Sequence, residues 1–289
     1  MDFFKGAFMN AATGLMEQMT RTPIIPNSLA LWGLGQMGLA IKGPDGLLVI
    51  DPCLTDVVRE RFGDFWVRGY PPPMQPGELT GVTYLMASHE HLDHFDPTTL
   101  GPAAAASPAA RMVAPGWCAD LLPEAGISAD RFLVPPALQP ITLPGTSARL
   151  TAVPAAHYDL IHDEQQGHRW LGYIIEWNGV TVYHAGDTII YKGYMEMMRG
   201  LPTPDVALIP ANGRDWYREV DIGATGNLMP EEAAYLAREL GWGMVILGHN
   251  DLYPNNAIPM ANLAGAMERY APRQRYKIMQ PGELVYVVK

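Results

Sequence analysis

The run Ser88-His89-Glu90-His91-Leu92-Asp93-His94 sets three histidines and one aspartate within six positions. Imidazole nitrogens and carboxylate oxygens are the donors that divalent transition metals take, so the chemistry open to this run is metal ligation. From the composition of the chain, the pattern H-x-H-x-D-H arises by chance about once in three thousand such sequences, which weighs against an ordinary histidine-rich surface loop. On a straight strand, side-chain alternation sends His89 and His91 to one face with Asp93 following. A helix beginning after His94 then swings Asp93 and His94 round to a neighbouring point, so one loop serves two adjacent metal positions.

Three further candidates stand far along the chain, and each follows an apolar run. His157 closes a segment that begins Leu150-Thr151-Ala152-Val153-Pro154, Asp187 ends Val182-Tyr183-His184-Ala185-Gly186-Asp187, and His249 ends Met244-Val245-Ile246-Leu247-Gly248-His249. Taken singly, each reads more readily as a structural residue than as a ligand. Four predicted strands nevertheless deliver such residues at their C-terminal ends, where the loops of an α/β core gather on one edge.

The elements that must position these groups are legible in outline. Leu29–Trp32, Gly38–Lys42 and Leu47–Ile50 read as three short strands, with Gly33, Gly35, Gly43 and Gly46 marking tight turns. Val82–Ala87 and Met112–Ala114 follow as strands, and the segment after Gly116 is predicted helical. Leu150–Val153 is another strand, Leu171–Trp177 and Val180–His184 form a hairpin about Asn178-Gly179, and Val206–Ile209 follows. Pro230–Leu240 is a helix with Pro230 in its first turn, Glu231 and Glu232 at its positive end and Gly241 as its stop. Met244–Leu247 is a strand, Pro259–Tyr270 a helix and Leu284–Val288 a closing strand. The pattern is α/β. Residues 1–28 are expected to form an amphipathic helix and a proline-marked loop, and residues 29–289 a single domain.

The 289-residue chain is 48 % hydrophobic, enough for a large core, and carries a formal net charge of -10 with a pI near 5.2. Such an acidic surface repels nucleic acid and anionic membranes, so neither is an expected partner. Cys53 and Cys118 lie far apart in no ligand-like spacing and are expected as buried thiols. With no signal-peptide pattern in Met1–Thr20 and no run of ~20 apolar residues, a soluble cytoplasmic protein is expected.

Taken together, the His89–His94 loop, His157, Gly186-Asp187 and His249, in that order, resemble the metallo-β-lactamase superfamily over nearly the whole chain. The resemblance implies an αββα sandwich, with two mixed sheets back to back and helices outside. It also implies two divalent transition-metal ions, zinc foremost, with manganese or iron as alternatives. One would be held by His89, His91 and His157, the second by Asp93, His94 and His249, with Asp187 bridging. Trp32-Gly-Leu-Gly-Gln-Met-Gly38, Ile50-Asp51-Pro52, Tyr183-His-Ala-Gly-Asp-Thr188, Asn212-Gly-Arg-Asp215, Gly226-Asn227 and His249 with Asp251 resemble the ascorbate-6-phosphate lactonase-like branch. That branch implies a hydrolase in which a metal-bound hydroxide opens a lactone or ester, with Asp93 orienting the nucleophile and protonating the leaving group.

Other residues are read around that site. Asp51 is expected to hydrogen-bond into the ligand set rather than to ligate. His184 serves either the same purpose or plain packing, and His162 and His168 lie in a polar loop as surface or lid residues. Arg214 and Arg218 either anchor a small anionic substrate, phosphorylated or carboxylated, or pair internally with Asp215, Glu219 or Asp221. Lys192, Tyr191 and Tyr194 are weaker candidates of the same kind. The rival activity is a phosphodiesterase acting on small phosphate esters or cyclic nucleotides, and the non-enzymatic rival is a metal-free scaffold. A homo-oligomer contact through the N-terminal Phe3, Phe4, Phe8, Met9 and Met16 is a further option, with packing on the same domain as the alternative.

Overall fold

The computed structural model of the chain describes residues 14–289. Helix α1 (Leu15–Arg21) precedes a run of six strands, β1 (Ser28–Gly35), β2 (Gly38–Gly43), β3 (Gly46–Ile50), β4 (Tyr84–Met86), β5 (Arg111–Val113) and β6 (Phe132–Leu133). Between them lie α2 (Val57–Phe62) and α3 (Pro97–Ala106). The chain then crosses to a second sheet through β7 (Ile141–Thr142) and β8 (Arg149–Ala155), and a small hairpin of β9 (His162–Asp163) and β10 (Gly167–His168) follows. The second sheet continues with β11 (Trp170–Trp177), β12 (Val180–His184), β13 (Val206–Pro210), β14 (Met244–Gly248) and β15 (Arg275–Lys277). Helices α4 (Tyr194–Arg199), α5 (Pro230–Leu240) and α6 (Met260–Tyr270) connect its later strands, and β16 (Leu284–Val288) returns to pair with β1.

Each sheet has seven strands, in the orders β16-β1-β2-β3-β4-β5-β6 and β15-β14-β13-β12-β11-β8-β7. Both are mixed: β3 to β6 and β12 to β15 run parallel, and the remaining neighbours antiparallel.

Side-chain alternation builds the layers. Leu29 and Leu31 of β1 face Leu39, Ile41, Leu48 and Ile50 and meet Leu150, Tyr173, Ile175, Val182 and Leu208 of the second sheet in the central core. The alternate residues Ala30 and Trp32 face outward, where Met19 of α1 and Leu100, Ala103 and Ala104 of α3 cover them. On the far side, Ala233, Leu236 and Ala237 of α5 and Leu263 and Met267 of α6 cover Ile174, Ala207 and Val245. The molecule is therefore an αββα sandwich.

Three expectations need adjustment. The segment after Gly116 is a short 3-10 helix over Gly116–Leu121 rather than an α-helix. The helix following the histidine run starts only at Pro97, where the buried Asp96 accepts the N–H groups of Thr98 and Thr99 at 2.9 and 3.0 Å. The amphipathic N-terminal helix is described only from Leu15, where Met19 packs into the outer core and Lys42 Nζ binds the carbonyls of Met19, Thr20 and Thr22. Phe3, Phe4, Phe8 and Met9 lie outside the described residues.

Candidate metal centre

Five strand ends converge on one edge of the sandwich. Asp51 follows β3, the Ser88–His94 loop follows β4, His157 follows β8, Asp187 follows β12 and His249 follows β14. The loop after β4 is a tight turn: the carbonyl of His91 accepts the N–H of both His94 and Phe95, at 2.9 and 2.7 Å. It is this turn that brings His94 back beside His89, with ring centroids 4.1 Å apart, and not strand alternation running into a helix.

Side-chain donors gather in three overlapping groups: His89, His91 and His157; His89, His94 and Asp187; and Asp93, His94 and His249. Asp187 stands among them. Its Oδ1 lies 3.3 Å from His94 Nε2, and its Oδ2 lies 3.2 Å from His249 Nε2 and 3.6 Å from His157 Nε2. Asp93 Oδ2, His94 Nε2 and His249 Nε2 form a triangle with edges of 3.5, 3.3 and 3.3 Å. Donors held at ~2.0–2.2 Å around a tetrahedral ion sit roughly 3.3–3.6 Å from one another. The triangle has that size. His89 Nε2 is buried with no hydrogen-bond partner, a costly state for a polar atom that a metal would relieve. The residues therefore fit a divalent metal centre.

The groups behind the ligands set their orientation. Asp51 Oδ1 accepts the Ser88 N–H at 2.7 Å, and its Oδ2 accepts the Ser88 hydroxyl at 2.6 Å and lies 2.7 Å from His94 Nδ1. A proton on Nδ1 of His94 leaves the Nε2 lone pair aimed at the site. Ser88 Oγ, with its proton given to Asp51, accepts from His89 Nδ1 at 3.0 Å and frees Nε2 of that ring in the same way. His184, fully buried, has Nε2 2.8 Å from the Met37 carbonyl and accepts the Gly186 N–H on Nδ1, so it fixes the turn that carries Asp187.

Gly186 itself has φ +60°, and a Cβ there would lie 2.7 Å from both the Leu171 carbonyl oxygen and Ser88 Cβ, so no larger residue fits between strand and ligand. Asp51 and His249 also adopt positive φ, +48° and +61°, a conformation that non-glycine residues seldom hold outside sites that require it.

Burial and charge divide the histidines. Desolvation pushes His157 down to about 4 and His89 well below its ordinary value, so both are neutral and ready to ligate at pH 7. Desolvation also opposes charge on His249, but Asp187 and Asp93 outweigh it and raise the group to about 9. Without metal, His249 therefore carries a proton at neutral pH, and an ion must displace it. Against its burial, Asp187 and Asp93 raise His94 of the same group as well, so affinity of the Asp93–His94–His249 group for zinc is expected to rise at least about tenfold per pH unit between pH 6 and 8, with at least one proton released per ion. Calorimetry in buffers of different ionisation enthalpy measures both quantities, and a flat profile without proton release contradicts the assignment.

Arg214 and Arg218 take the internal alternative. Arg214 grips both oxygens of Glu232, at 2.8 and 2.6 Å, and the Asn227 carbonyl at 2.7 Å. Arg218 is buried on Asp215, with Nη1 2.6 Å from the Asn212 carbonyl. Neither lines the cleft above the metal ligands, so their placement as substrate anchors is corrected: their hydrogen-bonding capacity serves the loops that carry them. Lys192, Tyr191 and Tyr194 do not line it either, and His162 and His168 sit on the separate small hairpin.

Three contributors escaped the sequence reading. Gln36 Nε2 donates to Asp93 Oδ2 at 2.8 Å and lies 3.2 Å from His249 Nε2, while the backbone carbonyl of Gln36 accepts the backbone N–H of His249. Ser88 links Asp51 to His89. Glu90 lines the cleft and pairs with Arg169, whose guanidinium lies over the rings of Trp117 and Trp170. Ser88 and Glu90 had a usable signal in their place beside and within the histidine run, and Gln36 in the Trp32–Gly38 motif.

A two-sheet sandwich with a His/Asp cluster on one edge defines a class of metal-binding α/β proteins. The sequence matches the β-lactamase superfamily domain over residues 47–250, and the chain belongs to the metallo-β-lactamase superfamily. It is 31 % identical over 224 residues to a metal-dependent hydrolase of Methanoculleus marisnigri, covering 75 % of this chain and 87 % of that one. The solved metallo hydrolase Igni18 of Ignicoccus hospitalis shares the fold at TM-score 0.64 and 19 % identity, over 90 % of this chain and 98 % of the other. An isothiocyanate hydrolase from Delia radicum gut bacteria does so at TM-score 0.68 and 15 % identity, over 90 % and 100 %. Among the described residues, no helix is long and apolar enough to cross a membrane.

Proposed function

We propose that the chain hydrolyses the carbonyl of a small lactone or ester, in the manner of lactonase-like members of its superfamily. The observation that carries this reading is the convergence of seven ligand side chains on an open cleft of about 510 Å³, whose lining includes His91, Asp93, His157, Asp187 and His249. His89, His91 and His157 would hold one ion and Asp93, His94 and His249 a second, with Asp187 in reach of both groups. Bound divalent metal supplies Lewis acidity and lowers the pKa of water toward ~7, and zinc suits the nitrogen-rich donor set best, with manganese or iron as alternatives.

The protein residues supply orientation and proton handling. Asp51 and Ser88 fix the imidazole tautomers as described above. Burial works against charge on Asp93, but His94 and His249 hold its carboxyl well below the usual range, so it stands ionised and able to accept a proton from an incoming water. Gln36 holds one of its oxygens. Asp93 is also the carboxylate ligand that lines the cleft with an accessible edge, from which it can return the proton to a departing alkoxide. The phosphodiesterase alternative is less well served by the cleft, because no arginine or lysine among the described residues lines it to meet a phosphate's charge.

The test pairs elemental analysis of protein purified without added metal with turnover of a neutral lactone, a sugar-phosphate lactone and bis(p-nitrophenyl) phosphate. One to two transition-metal ions per chain and lactone turnover lost in His91→Ala are expected. Metal with phosphodiester turnover alone transfers the activity to the phosphodiesterase reading, and absence of both metal and turnover leaves only the scaffold.

A further inference from the structure

We infer that the substrate is an uncharged carbonyl compound whose non-reacting part is apolar, rather than a phosphorylated or carboxylated one; the inference rests on the hydrolase reading above. Beyond the ligands, the large apolar side chains of the cleft wall are Val58, Phe62, Trp66, Leu92, Ile222 and Tyr253. Val58 and Tyr253 belong to a compact apolar cluster with Cys53, Val57 and Leu252, against which Trp66 and Leu92 pack. Trp66 meets Tyr253 edge-to-face with ring centroids 5.8 Å apart. The wall is thus backed by packed side chains and is formed before a ligand arrives.

Phe62 closes α2 at the cleft and is 65 % exposed, although Val57 and Val58 of the same helix are buried. An exposed aromatic ring beside an apolar wall gains most when an apolar ligand covers it.

Charge points the same way. None of the described lysines and arginines lines the cleft; Arg169, Arg214 and Arg218 are each paired with a carboxylate, and so are Arg59 and Arg61 on the helix that carries Val58 and Phe62. The acidic side chains that do line it are the carboxylates Glu90, Asp93 and Asp187. A carboxylate or phosphate on the far part of a substrate would lose its hydration against apolar side chains and meet no cation in return. The neutral polar groups Thr225 and Asn256 can hydrogen-bond but cannot compensate a charge.

The test uses γ-butyrolactone, γ-hexalactone and γ-octalactone, together with γ-lactones of matching length whose tail ends in a carboxylate or a phosphate. Binding is read by calorimetry on chelator-treated protein, and kcat/KM on the zinc-loaded protein. Affinity is expected to rise about two- to fourfold per methylene, the full value corresponding to complete burial, and each charged tail to bind at least tenfold more weakly than γ-octalactone. The chain-length ratio should collapse in Phe62→Ala and in Trp66→Ala, two variants on separate elements that guard against a folding defect in either. A flat ladder, or a charged tail that binds as well as the neutral one, overturns the inference even where turnover is intact. Loss of turnover with every member, with the binding ladder preserved, overturns the hydrolase reading and leaves the apolar pocket standing.

Discussion

Asp187→Ala is expected to strip the protein of metal and to lower lactone turnover by about a thousandfold or more. Asp187 is the one carboxylate whose two oxygens reach imidazole nitrogens of both ligand groups, His94 and His249 on one side and His157 on the other. Its charge draws the buried imidazoles of His94 and His249 together, and it is itself kept ionised because His249 and His94 outweigh the cost of its burial. Several kcal/mol of transition-state stabilisation by metal correspond to roughly a thousandfold in rate. Elemental analysis and steady-state kinetics read the effect, and Asp187→Asn separates charge from shape, since the amide retains the volume and loses the charge. Near-ultraviolet circular dichroism of both variants checks that the strands still deliver the other ligands. Full metal content with turnover within tenfold of the parent would exclude Asp187 from the metal centre.

The second large effect is expected at Asp51, which touches no metal. Asp51→Ala should weaken metal binding and activity by about 10- to 100-fold, the usual consequence of removing a carboxylate that orients ligating histidines. The residue receives Ser88 twice and faces His94 Nδ1, so its loss frees the ring of His94 directly and that of His89 through Ser88. Its backbone complicates the experiment usefully. Asp51 sits at φ +48°, which costs alanine more than glycine. Asp51→Gly should therefore recover stability relative to Asp51→Ala in a thermal melt while losing metal affinity just as far. If the glycine variant recovers metal affinity as well, backbone strain rather than the carboxylate explains the alanine result. Asp51→Asn should fall between, because the side-chain carbonyl can still accept one of the three contacts.

Much of this protein was legible before folding is considered. The His89–His94 run, the apolar segments ahead of His157, Asp187 and His249, and the strand and helix periods depend on short spacing alone. The structure places those residues at strand ends on one edge, and Pro230–Leu240 is helical over the span that its proline, glutamates and glycine mark. Local spacing carries such information because side-chain alternation and helix caps act over a few residues.

What the sequence left open depends on partners far away in the chain. Arg214 had anionic neighbours in sequence at Asp215 and Glu219, yet it pairs with Glu232, eighteen positions on, because the turn before α5 folds back over it. Arg218 chose the local Asp215 and is sealed in by the Asn212 carbonyl. Gln36 lay inside the Trp32–Gly38 motif without a role of its own and acquires one only when β1 and β2 bring it to Asp93 and His249, fifty-seven and 213 positions distant. The sequence by itself determined the donor set and the strands that present it. Only the tertiary structure decided which charges remain available in the cleft, because every ion pair formed elsewhere removes a cation that composition alone would count as free.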